Sequence, residues 1–124
     1  MSGYRSDVTW VIEGADVPGL VAAIKMSSKD DTEFLLSKCK VSEKSIGFLA
    51  SQWEWDPKAN SEAATARRIF DQGKEHAKCS GYLLRVGEDY EDVEYDVYGD
   101  NPPYGRIRLI RGIDVDDACF NDPV

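Results

Sequence analysis

The sequence predicts an α+β fold, an antiparallel sheet with two helices on one face in the ferredoxin-like order β-α-β-β-α-β, followed by a C-terminal β-hairpin. Three observations carry this expectation. Residues 4–13, 82–86, 91–98 and 106–112 read as strands, the first and third by clear alternation of apolar and polar residues. Between the strand-like runs, apolar residues recur at helical spacing in 17–38 and 62–79. The last two strand-like runs flank a loop, GDNPPYG at 99–105, whose glycines and prolines mark a reversal of the chain.

The elements follow in order. Val8, Trp10 and Ile12 alternate with Asp7, Thr9 and Glu13, a strand with one buried face that Gly14 ends. Pro18 suits the first turn of a helix with Asp16 as cap, and Leu20, Val21 and Ile24 form its apolar stripe. After SSKDD the stripe resumes through Phe34 and Leu35 over 32–38, as one long helix or a kinked pair. Residues 40–55 read as a hairpin with a short arm at Val41, a turn near Glu43 and Lys44, and a long arm carrying Ile46, Phe48 and Ala50. Asp56-Pro57 closes it, and Asn60 or Ser61 caps a helix over 62–79 whose inner face is Ala63, Ala66, Ile69, Phe70, Gly73 and Ala77. Ser80-Gly81 stops that helix, leaving Cys79 at its C-terminus. In the C-terminal hairpin, 91–98 pairs with 105–111, Val97 opposing Ile107 and Tyr95 opposing Leu109. Trp10, Ile12, Phe48, Ile69, Phe70, Leu84 and Leu109 are expected to share one core.

At 124 residues the chain suits one domain, 1–124, which buries roughly two-thirds of its unfolded surface. The longest purely apolar run, residues 20–24, is far below the roughly 20 residues a membrane helix needs, and the N-terminus carries no secretory pattern. Cytoplasmic residence is the expectation. Cys39, Cys79 and Cys119 are odd in number and widely spaced, against a disulfide framework.

The charge is partitioned. Residues 1–86 carry 12 acids and 12 bases, whereas 87–124 carry 11 acids against Arg106, Arg108 and Arg111, so the net charge of −8 belongs to the last third. Seven carboxylates lie within 87–100: Glu88, Asp89, Glu91, Asp92, Glu94, Asp96 and Asp100. Tyr90, Val93, Tyr95, Val97 and Tyr98 are threaded among them, which marks a structured acidic surface rather than a disordered tail. Asp92, Glu94 and Asp96 would form a row of charges about 6.8 Å apart on one side of a strand. Such a row fits a basic groove built for nucleic-acid phosphates; as an ordinary solvated face it would be partly neutralised by Arg106 and Arg108 across the ladder.

Other chemistry is poorly supported. The acidic block lacks the glycine and ligand spacing of a calcium loop. His76 and Cys79 form the one H-x-x-C, short of the ligands a zinc site needs. No G-x-S-x-G, G-x-x-x-x-G-K-[ST] or G-x-G-x-x-G occurs, and a cysteine at a helix C-terminus would meet a dipole opposed to the thiolate. No metal, cofactor or catalytic residue is expected. A second candidate site comprises Trp53, Trp55, Arg67 and Arg68, where aromatic planes beside guanidinium groups could hold a base and a phosphate.

An initial YRSDV strand, WEWD before the last helix, and GYLLRVGEDYEDVE followed by GD resemble small acidic proteins of tailed bacteriophages. The specific part of the resemblance is residues 81–94. It implies no catalytic residues. It implies a setting in the host bacterial cytoplasm and an inhibitor of a basic nucleic-acid-handling or immune-defence complex, acting as a DNA mimic in the manner of anti-CRISPR proteins. On this reading the partner is a protein and neither nucleic acid nor membrane is bound directly, while a homodimer stays open. The alternative is a phage sponge that sequesters a nucleotide signal through the tryptophan–arginine site.

Overall fold

The computed structural model describes residues 5–26, 30–53, 61–76, 78–89, 91–109 and 113–115. Its elements are β1 (Ser6–Gly14), α1 (Val17–Met26), α2 (Asp30–Ser37), β2 (Lys40–Val41), β3 (Ser45–Trp53), α3 (Ser61–Gln72), β4 (Cys79–Gly87), β5 (Val93–Tyr98), β6 (Ile107–Leu109) and β7 (Ile113–Val115). The fold is α+β. Five strands form one antiparallel sheet in the order β2-β3-β1-β4-β5, and β6 and β7 form a separate two-stranded ribbon.

Register decides which side chains share a face. Trp10 stands opposite Phe48 on β3 and Leu83 on β4, and Ile12 opposite Ile46 and Gly81. These residues meet Val17, Leu20 and Ile24 of α1, Leu35 and Leu36 of α2, and Ala66, Ile69 and Phe70 of α3 in one core, so the helices share a face of the sheet. Trp10 stacks on Phe48 at 5.5 Å between ring centroids and meets Phe70 at 6.0 Å, which ties β1, β3 and α3 together. Burying such large aromatic side chains is the chief stabilisation available to a domain of this size.

The other face has its own smaller cluster. Val11 and Leu84 are buried there with Tyr82, Val86 and Val93 packed around them. Strand β1 is flanked in the plane of the sheet by β3 and β4. Strand β7 of the ribbon comes near β1.

Several expectations are corrected. Strand β5 pairs with β4, placing Val97 opposite Tyr82 and Tyr95 opposite Leu84, and β6 pairs with β7 instead of with β5. Leu84 belongs to the second cluster, because the register turns its neighbour Leu83 toward Trp10. The side chain of Leu109 lies outside the described residues. The last helix stops at Gln72, followed by a 3-10 turn over Gly73–Glu75, and Cys79 starts β4 rather than ending a helix. Tyr98 packs against both ends of this stretch, its hydroxyl end over Gly73 and its ring over Gly81; a Cβ on either glycine would run into it. The segment before β2 is two helices, α1 and α2.

Candidate functional site

The acidic residues are organised by the turn between β4 and β5. Asp92 N–H donates to the Asp89 carbonyl at 3.0 Å, and Gly87 N–H donates to the Asp92 carbonyl at 2.8 Å, closing the reversal. Beyond it, alternation along β5 puts Glu94, Asp96 and Tyr98 on the helix side of the sheet, opposite Arg85, Leu83 and Gly81. Val93, Tyr95 and Val97 take the other side. The expected row of acids thus exists, but it is paired.

Arg85 is the hub. Its Nη2 donates to Asp92 Oδ1 at 2.7 Å and its Nη1 to Asp92 Oδ2 at 3.2 Å, a two-pronged fork on one carboxylate. Its Nε donates to Glu94 Oε1 at 2.9 Å, and Nη1 also reaches Ser6 Oγ at 3.0 Å. The guanidinium is held still more firmly protonated than an ordinary arginine, chiefly by the hydrogen bond to Asp92. Asp96 is engaged by Arg67 Nη2 from α3 and by Lys74 Nζ at 3.6 Å from the 3-10 turn that follows it. The cations that neutralise the row therefore come from β4, α3 and the 3-10 turn after α3. The side chains of Arg106 and Arg108, expected to do this, lie outside the described residues.

The remaining acids divide between the two ends of β5. Glu88 accepts a hydrogen bond from the Arg5 backbone N–H at 2.5 Å, and Asp89 and Glu91 are exposed in the same turn. Asp100 sits at the far end, in the turn after Gly99, beside a polar cleft of about 690 Å³ that Lys44, Lys78 and Ser80 also line. Glu88, Asp89, Glu91, Asp92 and Glu94 thus gather at one corner of the sheet, with Asp96 on the same strand and Asp100 apart.

A tyrosine group on the opposite face was missed by sequence reasoning, which placed Tyr95 against Leu109 in the hairpin. Tyr95 is 68% exposed and Tyr104 57% exposed, and Tyr104 meets the half-buried Tyr82 edge-on at 5.3 Å. Burial, and then the nearness of Tyr104 and Tyr95, raise the Tyr82 hydroxyl above its ordinary value. The spacing of tyrosines at 82, 95 and 104 around two chain reversals was the signal available in the sequence.

The second candidate site does not assemble from what is described. Arg67 is bound to Asp71 at 3.1 Å and to Asp96, while Arg68, next along α3, is exposed. The side chain of Trp53 and the whole of Trp55 lie outside the described residues. His76 Nδ1 meets Asp16 Oδ2 at 2.9 Å, joining the end of the 3-10 turn to the start of α1. Cys79 is buried, and burial raises its thiol above the ordinary value. Among the described residues no group of three or more His, Cys, Asp or Glu could hold a metal ion, and no helix is long and apolar enough to cross a membrane. Compared with protein-family models, curated proteins and solved structures, the chain gives no match.

Proposed function

We propose that the chain is a non-catalytic binding protein that docks the β4–β5 corner of its sheet against a basic surface of another protein. The observation that supports this most is the gathering of Glu88, Asp89, Glu91, Asp92 and Glu94 at one turn, rigidly held by the Arg85 fork and the backbone bonds of the reversal. A fixed cluster of carboxylates attracts a basic partner over several ångströms and fixes its orientation. Glu88, Asp89, Glu91 and Glu94 are the exposed members and act as the contact residues; Asp92 and Asp96 act as internal ties that keep β5 in place. The same reading takes the strand order β2-β3-β1-β4, with helices between β1 and β2 and between β3 and β4, as a ferredoxin-like plan extended by β5.

The resemblance to small phage proteins makes the partner a nucleic-acid-handling or defence complex of the host bacterium, occupied as a phosphate backbone would occupy it. Against the sponge reading, Arg67 is already engaged by two carboxylates; the side chain of Trp53 and the whole of Trp55 lie outside the described residues. The test is capture from a bacterial lysate on the immobilised chain, followed by elution with salt. A basic protein that elutes with salt and is lost with the triple variant Glu88→Gln, Glu91→Gln, Glu94→Gln supports the reading. Capture that ignores both salt and the triple variant would overturn it.

A further inference from the structure

The two edges of the five-stranded sheet carry opposite charge. At one edge, Lys40 and Val41 of β2 are exposed, with Lys44 exposed in the turn that follows and Lys25 exposed on α1. None of these three ammonium groups has an ion-pair partner among the described residues. Lys25 and Lys44 rim a largely apolar groove of about 1010 Å³ that Pro18, Val21, Ala22 and Val41 also line; the exposed carboxylate of Glu43 lies there too, and with Lys25, Lys40 and Lys44 against it the edge stays net positive. At the opposite edge, β5 exposes Glu94 and Tyr95, and Glu91 is exposed in the turn that leads into it.

We propose that the β5 edge of one copy docks on the β2 edge of a second copy, a charge-matched, head-to-tail contact between identical chains. An edge strand presents unpaired N–H and C=O groups, and a short lysine-bearing edge ordinarily discourages pairing. Lysines on β2 repel another β2, and carboxylates on β5 repel another β5. Of the ways in which two such edges can meet, β2 with β5 is the one in which charge attracts, so the like-charged pairs serve to reject the wrong arrangements. The tyrosine on the acidic edge and the apolar groove beside the basic edge add contact area of matching polarity.

The contact joins two different patches, so it propagates into a ring or a filament instead of closing as a two-fold dimer. The net charge of −8 opposes assembly at low ionic strength. At physiological salt that long-range repulsion is screened beyond about 8 Å, while charge pairs in direct contact persist. The contact goes beyond the partner binding proposed above and does not depend on it, because the purified chain alone reports on it.

Sedimentation velocity across micromolar to millimolar concentration tests the contact at physiological salt. The wild-type chain is expected to rise in weight-average mass by about twofold or more as the contact propagates. Two charge-reversed variants separate the edges: Lys40→Glu with Lys44→Glu, and Glu91→Lys with Tyr95→Lys. Each alone pits like charges against each other and should remain a monomer. Mixed in equal amounts they present opposite charges again, and association should return, which also requires that both are folded. A wild-type chain that stays monomeric throughout overturns the contact, as does self-association of either variant or a mixture that stays inert. A monomeric chain that still captures a basic host protein would overturn the contact and leave the proposed function standing.

Discussion

Arg85 and Asp92 are joined by two hydrogen bonds, at 2.7 and 3.2 Å, across the turn that carries the chain from β4 to β5. The guanidinium is 15% exposed and the carboxylate 33% exposed, so the pair is only partly open to water. A fork of this kind fixes two planes relative to each other and is stronger than a single bond between neutral groups. It makes Arg85 the part of the acidic corner on which the position of the other residues depends.

Replacing Arg85 by alanine leaves Asp92 and Glu94 facing each other without their common cation. The expected loss is about 1–3 kcal/mol of stability, the range for hydrogen bonds to charged groups and for a partly buried charge left unpaired. Urea unfolding followed by tryptophan fluorescence measures it. A variant as stable as the parent would contradict the role given to the fork.

Tyr98 and Gly73 give a prediction that depends on two positions at once. The Tyr98 hydroxyl donates to the Phe70 carbonyl at 2.7 Å, its ring meets the Phe70 ring at 4.9 Å, and Gly73 provides the space beneath the hydroxyl. Tyr98→Phe alone removes one hydrogen bond, a cost of about 1 kcal/mol. Gly73→Ala alone forces a methyl group into the hydroxyl and should cost more, about 1–3 kcal/mol by analogy with overpacked cores. The double variant should be more stable than the sum of the two losses implies, because deleting the hydroxyl makes room for the methyl. Simple additivity across the double-mutant cycle would contradict the packing described.

Much of this was legible from local pattern, and the reason lies in what each segment encodes by itself. The alternation of Val8, Trp10 and Ile12 identified β1 and one of its faces, but not that Thr9 and Val11 are buried on the other face too, and Glu43-Lys44 between two apolar runs marked the β2–β3 reversal. Ala63, Ala66, Ile69 and Phe70 recur at the helical period and do face the core. The C-terminal third was read less well, because a strand that alternates says nothing of its partner. Both 82–86 and 106–112 offered β5 a neighbour, and its pairing with β4 is accompanied by contacts distant in sequence: Arg85 with Glu94, Asp96 with Arg67, and Tyr98 against Phe70.

The same limit applies to the faces and to the helix end. Tyr82, Leu83 and Leu84 are consecutive and apolar, so the period of two gives no phase, and the register with Trp10 alone assigns Leu83 to the main core. Gly73 continued the helical stripe in sequence, but its missing side chain serves the Tyr98 ring instead of the helix. The acidic cluster was legible in composition; that Asp92, Glu94 and Asp96 were paired was not, since their cations come from Arg85, Arg67 and Lys74.

Alkaline pH should loosen the fold. Burial pushes the Cys39 thiol from its ordinary 9.0 up to about 12, and burial also raises Tyr98, Tyr82 and Cys79. Each of these groups holds its proton more tightly in the folded chain than in the unfolded one. Their contribution is therefore complete below about pH 9 and is lost progressively as pH rises toward about 12 for Cys39. The thermal midpoint should be nearly level from neutrality to that point and fall beyond it, with a shallower fall in Cys39→Ala. A midpoint that climbs through the same interval would contradict the burial of these groups.

The most direct test of the account compares association rates of two triple variants with the basic partner captured from lysate. Glu88→Gln, Glu91→Gln and Glu94→Gln remove charge from the acidic corner, while Glu33→Gln, Glu43→Gln and Glu75→Gln remove the same charge from exposed positions elsewhere. If the β4–β5 corner is the docking surface, the first triple slows association by about tenfold, or about 1.4 kcal/mol, and the slowing disappears at high salt. The second triple should leave the rate close to that of the parent. Equal slowing by both triples would mean that only net charge steers the chain, and no slowing by the first would contradict the assignment of the acidic corner as its binding surface.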